Sequence, residues 1–412
     1  MTSNQDIINK AGGLSSADFV GTRLLKPVEV QAVISNMVDS SALLKNVRVV
    51  PMDAPSMAIP KTGLAGRVLR PGIALTDPGN TITPSYGDVL LNTQEVVAAT
   101  TISDNVGEDL INNGGPDAYG DKLFGDVAVA AGNETEDATI NGRVWQSSGG
   151  TAPRHINSLY DGVLQRALAA GTNVVDASTG FASRQLSFTA GDDKIMSAIY
   201  KLADKYTRDL TKLRLYVPST LALNYASLQM GITGMQAGVL SGQTVATYMG
   251  IPVVPCPLIK RDGIVSATAT TTTTLAADAQ ADSLTITVAS ATGLVAGNNI
   301  IIGWNLLSAE TRTIASVSGN VITLTVPLAL DHAGTGTAET VKLYSAIVND
   351  GTFAILTMPD NIIVGVQRTM RIAKQYNARV RGTDWVLSMR MAVGVEDINA
   401  VVLIKNLAAR TY

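Results

Sequence analysis

The final third of the chain shows the most regular alternation of apolar and polar residues. Apolar side chains occupy every second position at Trp385, Leu387, Met389, Met391, Val393 and Val395. A period of two predicts an antiparallel strand with one buried face. Apolar runs within residues 346–358, 361–373 and 400–407 predict three more strands around it.

Helical spacing is clearest between Pro116 and Arg143. Pro116 suits a first turn, and Asn141-Gly142 is typical of a left-handed helix stop. Apolar residues recur at helical spacing at Leu123, Val127, Ala131 and Ala138. The pattern predicts one long helix over 116–141, which at ~1.5 Å per residue is long enough to cross a domain.

A helix, strand, helix pattern follows. A helix is predicted over 192–209, with Asp192 or Asp193 as its cap and with Ile195, Ile199, Leu202 and Tyr206 on one side. The alternation within 213–217 predicts a strand, and Pro218-Ser219-Thr220 begins another helix that ends near Gly231. Prolines frame a short apolar strand over 250–259, which favours the edge of a sheet.

The first 110 residues have too few apolar positions in register for a core of their own. The sequence predicts a polar arm over 1–27, and then a short helix and a strand over 28–50 that end at Pro51 and Pro55. Gly and Pro interrupt short extended runs over 59–110. We expect a long two-stranded arm there that neighbouring molecules stabilise, the alternative being a mobile surface loop of a monomer.

Residues 264–342 read as a small all-β insertion. Runs within 283–291, 298–304, 309–319 and 320–330 predict short strands, with Ser318-Gly319-Asn320 as a hairpin turn. No lysine or arginine lies between Arg261 and Arg312. The threonine-rich segment Ser266 to Thr274 is interpreted as an extended tether that leads into the insertion.

The amino-acid composition predicts that partners cover some of the surface. Only 16% of the 412 residues are charged and the net charge is −3, against about 25% charged residues in typical soluble domains. Interface cores are depleted in charge, so we expect partners over part of the surface. A secreted all-β protein is the alternative that this composition allows.

Candidate chemistry is sparse. Cys256 is the only cysteine, and His155 and His332 are the only histidines, so a disulfide within the chain or a cysteine-based zinc site is excluded. Both histidines are expected to be solvent-exposed or hydrogen-bonding. Phosphate-loop, nucleophile-elbow and metalloprotease motifs are absent, and the sequence predicts neither an enzyme nor a cofactor. The N-terminus has no secretory pattern and no run is long enough to span a membrane, so we expect synthesis in the cytoplasm.

Two charged groups are candidates for contacts. The acidic group at the end of the long predicted helix is interpreted as a solvated or interface face and consists of Glu134, Glu136 and Asp137. The cation run has no acid between Asp360 and Asp384 and consists of Arg368, Arg371, Lys374, Arg379 and Arg381. This cation run could bind phosphates or acidic partner surfaces, or equally it could lie on the solvent-exposed face of a sheet.

The order of these segments resembles the major capsid proteins of tailed bacteriophages, which have the HK97-type fold. The resemblance rests on the helix that ends in Glu136-Asp137-Ala138-Thr139-Ile140-Asn141-Gly142, on the strand "GIPVV" at 250–254, and on the closing strands "VLSMRMAVGVEDINAVVLIKNL" with Arg390. It covers nearly the whole chain except about residues 264–342. Each motif is short, and their collinear order carries the resemblance.

The resemblance implies an α+β fold with a characteristic division. Residues 1–45 would be the N-terminal arm and first element, 46–110 the E-loop hairpin with its flanking strands, and 111–215 the peripheral domain with the spine helix 116–141. Residues 216–263 and 343–412 would form the axial domain and returning peripheral strands, interrupted by the insertion 264–342. We expect no fused scaffolding domain, because the first patterned element begins by Val28. We also expect no isopeptide cross-link, because Lys61 is the only lysine from 46 to 121 and lies at the base of the arm.

The implied function is structural. By resemblance, copies of the chain assemble into the hexamers and pentamers of an icosahedral or prolate head around nonspecifically held double-stranded DNA. Portal protein and separate scaffolding and decoration proteins would be further partners, the virion the final location and the host cytoplasm the place of assembly. An encapsulin-like compartment shell is the alternative within the fold, and a secreted hydrolase or adhesin the alternative outside it. Assembly contacts are expected at Lys61, Arg67, Arg70, Glu134, Glu136, Asp137, Arg368, Arg371, Lys374, Arg379 and Arg381.

Overall fold

The computed structural model describes residues 43–64, 84–103, 115–187, 191–233, 247–260, 269–344, 351–377, 379 and 381–408. The helices are α1 (Gly115–Asn141), α2 (Val163–Ala170), α3 (Lys194–Lys201), α4 (Asp204–Thr207) and α5 (Ser219–Thr233). The strands are β1 (Arg48–Pro51), β2 (Ser56–Leu64), β3 (Pro84–Asn92), β4 (Gln94–Ser103), β5 (Val174–Asp176), β6 (Arg214–Val217), β7 (Thr247–Tyr248), β8 (Ile251–Pro255), β9 (Ala269–Thr274), β10 (Thr285–Thr287), β11 (Asn299–Ile302), β12 (Glu310–Ser318), β13 (Val321–Leu324), β14 (Thr340–Tyr344), β15 (Thr352–Thr357), β16 (Ile362–Asn377), β17 (Gly382–Val395) and β18 (Val401–Leu407). None of the helices in these residues has the length and apolar character to cross a membrane.

The long predicted helix is confirmed as α1, but its stop has a different cause. The backbone of Gly142 is not left-handed. A Cβ at Gly142 would lie 2.4 Å from Ala138 O and 2.5 Å from Tyr160 O. Gly162 N donates to Gly142 O at 2.9 Å, so the chain crosses itself backbone to backbone here. Glycine is needed for this close approach and not for a positive φ.

The helix predicted over 192–209 is shorter than expected. Asp193 caps α3 by accepting from Met196 N at 2.9 Å, and α3 ends at Lys201 because Leu202 and Ala203 both take extended backbone with ψ 144. The break buries Leu202 in the core and turns Tyr206 toward Asp397, to which its hydroxyl donates. A tertiary contact therefore overrides the continuous helical pattern.

A six-stranded mixed sheet forms the centre of the molecule, in the order β5-β18-β15-β6-β8-β7. One face packs against α3 and α5 through Leu215, Val217, Val402 and Ile404. The alternate residues Tyr216 and Leu403 face the core shared with α1 and α2. The predicted strand over 250–259 is β8, which lies second from the edge and not at it, because the two-residue strand β7 pairs outside it.

A four-stranded sheet in the order β1-β16-β17-β4 carries the two-stranded arm. The arm pairs β2 with β3 from Ser56↔Asn92 to Leu64↔Pro84, which confirms the extended hairpin where it is described. Its tip, 65–83, lies outside the described residues, as do 1–42. The prediction that β17 has only one buried face was wrong. Ala392 points to the opposite face and is also buried, because Leu91 at the base of the arm covers that face.

Strands β9 to β14 form a separate antiparallel sheet in the order β10-β13-β12-β11-β14-β9. Its outer strands also meet, since Leu275 bridges Val288 and Ala289 N donates to Thr274 O at 2.8 Å. These bonds close the sheet into a small barrel with no open edge at that seam. The barrel core comprises Leu275, Ile286, Val288, Leu294, Ile300, Ile302, Ile314, Ile322, Leu324, Leu328 and Val341.

Two local predictions in this barrel had different outcomes. The hairpin turn is confirmed, since Ser318 pairs with Val321 across Gly319-Asn320 and Gly319 has φ +60. The tether at Ser266 to Thr274 was wrong where it is described, because residues 269–274 form β9, paired in register with β14. Threonine is β-branched and suits a strand, and Thr273 is buried between exposed Thr272 and Thr274.

Candidate functional site: charged surfaces and the barrel junction

The cation run predicted from sequence is divided in the structure. Arg368 and Arg390 lie directly opposite each other on β16 and β17. Glu95 on the neighbouring strand β4 bonds both guanidinium groups, at 2.6 Å to Arg368 and 3.3 Å to Arg390. The hydrogen bonds from Arg368 and then Arg390 hold the pKa of Glu95 below its ordinary value. Arg368 is therefore paired within the subunit, with Glu95 shared between it and Arg390.

The other members of the run lie toward the turn between β16 and β17. Arg371, Arg379 and Arg381 are exposed, and Arg381 has φ +50. Lys374 lies on β16 in register with Trp385 of β17. This end of the hairpin thus presents at least three guanidinium groups to the surroundings, and it is the part of the predicted cation run that suits an anionic partner.

The predicted arm residues are only partly placed. Lys61 lies on β2 in register with Gly87 and is half-buried. Arg67 and Arg70 fall outside the described residues. On β3, Leu91 is buried against the four-stranded sheet, whereas the adjacent Leu90 points the other way and is 57% exposed. The arm therefore has one face fixed to its own subunit and one apolar position open.

The acidic group at the end of α1 is not one solvated face. Glu134 is exposed, as expected. Glu136 is only 2% exposed and accepts from Leu43 N at 3.1 Å and from the Cys256 thiol at 3.2 Å, so the expectation of a wet face was wrong for it. Burial and then the Glu136 charge raise the pKa of the Cys256 thiol. Glu136 joins the first described residues to the central sheet.

Asp137 is also engaged inside the subunit. Its carboxylate accepts from Asn141 Nδ2 at 2.5 Å and from Asn157 Nδ2. Asn141 Nδ2 in turn donates to Leu258 O at 2.6 Å. The motif at the end of α1 thus fixes the helix end to the loop after β8 and to the segment that follows the helix.

That following segment, residues 143–155, runs along the base of the barrel and is here called the strap. Asp331 of the barrel accepts from the backbone N–H groups of Arg154 at 3.0 Å and His155 at 2.8 Å. Asp278 accepts from the Ser147 hydroxyl. Arg143 forms an ion pair with Glu339 at 2.6 Å, with both side chains almost fully buried. Three barrel carboxylates therefore bind the strap.

His332 lies at the centre of this junction and is fully buried. Its Nδ1 is 2.7 Å from Glu339 Oε2, and its Nε2 is 2.7 Å from Glu310 Oε1. Burial would lower the pKa of His332, but the hydrogen bonds to Glu310 and Glu339 outweigh it and raise that pKa above its ordinary value. Burial would raise the pKa of Glu339, but the hydrogen bond from His332 outweighs burial, and the pKa of Glu339 lies below its ordinary value.

A cavity of about 340 Å³ opens beside the junction. Its polar lining includes Asp137, Arg143, Asn157, Lys260 and Asp331. Lys260 Nζ donates to Leu307 O and to Ala309 O, the latter at 2.7 Å, and so holds the barrel from the body side. Across the residues that the structure describes, no three His, Cys, Asp or Glu side chains are grouped to hold a metal.

Sequence reasoning did not find this junction. His332 was expected to be exposed or hydrogen-bonding, and the second alternative holds. Its two glutamate partners lie 22 and 7 residues away, and no period links them. The one available signal was the absence of lysine and arginine between Arg261 and Arg312, which leaves Asp278 and Asp282 without nearby cations in sequence.

No family model matches the chain. It is 27% identical over 261 residues to YqbE of Bacillus subtilis (strain 168), a putative prophage capsid protein, covering 61% of this chain and 74% of the relative. Among solved structures, the satellite phage P4 procapsid including size determination (Sid) protein is similar with a TM-score of 0.52 and 12% identity over 98% of both chains. The capsid of an empty GTA particle gives a TM-score of 0.47 and 13% identity over 99% of this chain and 100% of that chain.

YqbE is a putative prophage capsid protein and the P4 structure is a satellite phage procapsid, so neither comparison favours the encapsulin-like alternative. The helix, arm and sheets that the P4 comparison spans are those on which the resemblance in the sequence rested. The chain has the HK97-like fold of the phage major capsid proteins, an α+β fold, as its sequence predicted.

Proposed function

We propose that the chain is the shell-forming structural subunit of a phage head and that it acts by self-assembly into hexamers and pentamers. The observation that carries the proposal is the similarity to the P4 procapsid over 98% of both chains. The extended arm supports it, because a two-stranded hairpin is at most marginally stable alone and gains from neighbours. Weak contacts of this kind sum over a closed lattice.

The proposal assigns partners and location. The shell encloses double-stranded DNA without reading its sequence, and portal, scaffolding and decoration proteins are separate chains. Assembly takes place in the host cytoplasm and the product is the virion. The subunit is not an enzyme. The division into arm, peripheral domain, axial domain and the inserted unit 264–342 is part of this proposal.

The contact residues follow from the surfaces described above. Exposed Glu134 and the arginines at the β16–β17 turn are available to a neighbouring subunit, and so is Leu90 on the open side of the arm. We include Lys61, Arg67, Arg70 and Lys374 among the assembly contacts. The side chains of Glu136, Asp137 and Arg368 form their hydrogen bonds and ion pairs within the subunit, next to these surfaces.

Electron microscopy of the purified full chain tests the proposal. Closed particles, or rings of five and six subunits, are expected. A monodisperse monomer at every concentration and salt tried would refute it. Nucleic acid inside particles from phage-infected cells supports the head, whereas particles filled with one host enzyme support a compartment shell.

A matched pair of variants tests the arm. Leu90→Asp places a charge on its open apolar position and is expected to block assembly while leaving the subunit folded. Val326→Asp changes a similarly exposed residue of the barrel, at 55% exposure against 57% for Leu90. Equal assembly of the two variants would remove the arm from the proposed contacts.

A further inference from the structure

The barrel junction contains a chain of alternating charges. Arg312 Nη2 lies 2.5 Å from Glu310 Oε2, and the other oxygen of Glu310 contacts His332. His332 then contacts Glu339, whose second oxygen pairs with Arg143 of the strap at 2.6 Å. Four of these five residues come from the barrel, and Arg143 comes from the body.

The geometry at His332 fixes its protons. A neutral imidazole has one N–H and one bare nitrogen. Both nitrogens of His332 lie 2.7 Å from a carboxylate oxygen. A bare nitrogen at that distance would place lone pair against lone pair, so each contact needs a proton between its two atoms. An imidazolium, which donates through both nitrogens, satisfies both contacts at once.

We propose that His332 is a buried imidazolium that latches the barrel to the strap, and that loss of its proton opens this latch. Glu339 is the shared element, because it accepts from His332, from Arg143 and from Ser308 at 3.3 Å. Without the imidazolium proton, Glu310 or Glu339 must turn away from His332. Movement of Glu339 breaks its contact to Arg143, which is an ion pair between barrel and body.

The charged groups around His332 favour the closed state. Glu310 and Glu339 face the ring directly, and Arg312 and Arg143 face those two carboxylates from outside. Asp331, next to His332 in sequence, is engaged with backbone N–H groups of Arg154, His155 and Ala281. Lys260 holds Leu307 O and Ala309 O on the opposite side. Apart from His155, the charged side chains at the rest of the junction are guanidinium, ammonium and carboxylate groups.

The sign of the pH effect follows from the raised pKa of His332 in the closed state. Below the ordinary histidine pKa of about 6.5 the latch is protonated whether open or closed, and its contribution is fully present. Above that value the closed state holds a proton that the open state lacks. The opening constant then rises about tenfold per pH unit until the closed-state pKa is passed, where it levels off.

Nitrogen chemical shifts test the protonation directly. The chain has only two histidines, and they are expected to differ: His155 Nδ1 accepts from Asn157 N at 3.2 Å, so it carries a lone pair. Magic-angle-spinning NMR of ¹⁵N-histidine-labelled full-length protein at pH 7.5 is expected to show one ring with two protonated nitrogens. His155→Gln assigns that ring to His332. A neutral His332 ring at this pH overturns the proposal, and the measurement needs no variant at His332.

Hydrogen exchange tests the latch. The amides of Arg154 and His155 report docking because both donate to Asp331 of the barrel. In the wild type, their opening constants, corrected for intrinsic exchange, are expected to rise about tenfold per pH unit above 6.5. His332→Gln should abolish this rise, and His155→Gln should leave it intact. A wild type without the rise, or His332→Gln with the same rise, refutes the latch.

Discussion

Leu91 and Gly394 form a complementary pair that sets the base of the arm. Leu91 is fully buried, and a Cβ placed on Gly394 would lie 2.4 Å from Leu91 Cδ2. Gly394→Ala is therefore expected to destabilise the subunit by about 1–3 kcal/mol through overpacking. Leu91→Ala removes a buried side chain and leaves a cavity, which costs about 2–5 kcal/mol.

The double variant decides whether these two effects have one cause. In Leu91→Ala/Gly394→Ala, the new methyl group enters the space that the leucine leaves. The combined loss should be smaller than the sum of the single losses by about 1–2 kcal/mol, the coupling expected of residues in contact. Gly87→Ala on the same arm is the control, because no atom lies within 4 Å of its added Cβ.

Urea unfolding of the unassembled subunit, followed by fluorescence of its three tryptophans, measures these free energies. Assembly of each folded variant is then scored by electron microscopy. Additive losses, within about 0.5 kcal/mol, would show that Leu91 and Gly394 do not share one space and would refute the reasoning. A loss for Gly87→Ala as large as that for Gly394→Ala would refute it too.

Three further predictions concern the body of the subunit. Gly142→Ala should cost at least about 3 kcal/mol in urea unfolding, because its Cβ meets backbone oxygens of Ala138 and Tyr160 that cannot turn aside; a loss no greater than that of Gly87→Ala contradicts it. Cys256 is fully buried with a raised thiol pKa, so maleimide should label it only after unfolding, and rapid labelling of the native subunit is the contrary result. Burial would raise the pKa of Asp397, but hydrogen bonds from Tyr206 and Lys205 outweigh burial and lower this pKa to about 2. The ionised carboxylate therefore stabilises the fold above about pH 4, and this stabilisation is lost as the pH falls through 2. Acid unfolding of Asp397→Asn should lack this step.

Local patterns predicted most of the elements because each depended on one short-range rule. The strand β17, the long helix α1 and the Gly319-Asn320 turn are confirmed. The threonine run was the instructive error. Its low complexity suggested a linker, yet β-branched side chains that alternate in and out make β9 a strand once β14 lies beside it.

The functional interior was less accessible to sequence reasoning. Glu136 is buried because Leu43 and Cys256, 93 and 120 residues away, supply its donors. The two glutamates at His332 meet it only after the barrel has closed. Helical spacing placed Glu134 and Asp137 on one face. It could not show that Asp137 accepts a hydrogen bond from Asn157, which lies close because the backbones of Gly142 and Gly162 pack against each other. These contacts are set by tertiary packing.

The charge deficit of the insertion explains why the barrel is docked onto the body. Between residues 264 and 342 the sequence has one arginine and one lysine, against the five carboxylates of Asp278, Asp282, Glu310, Asp331 and Glu339. A carboxylate that leaves water needs donors or a cation. The barrel obtains them from the strap: Arg143 serves Glu339, backbone N–H groups serve Asp331, and a hydroxyl serves Asp278. In a barrel joined to the body only by a flexible linker, these three carboxylates would remain in water. Docking instead removes them from water and supplies each with a hydrogen-bond donor from the strap. Asp278, Asp331 and Glu339 thus form one side of an interface whose donors lie more than a hundred residues earlier in the chain.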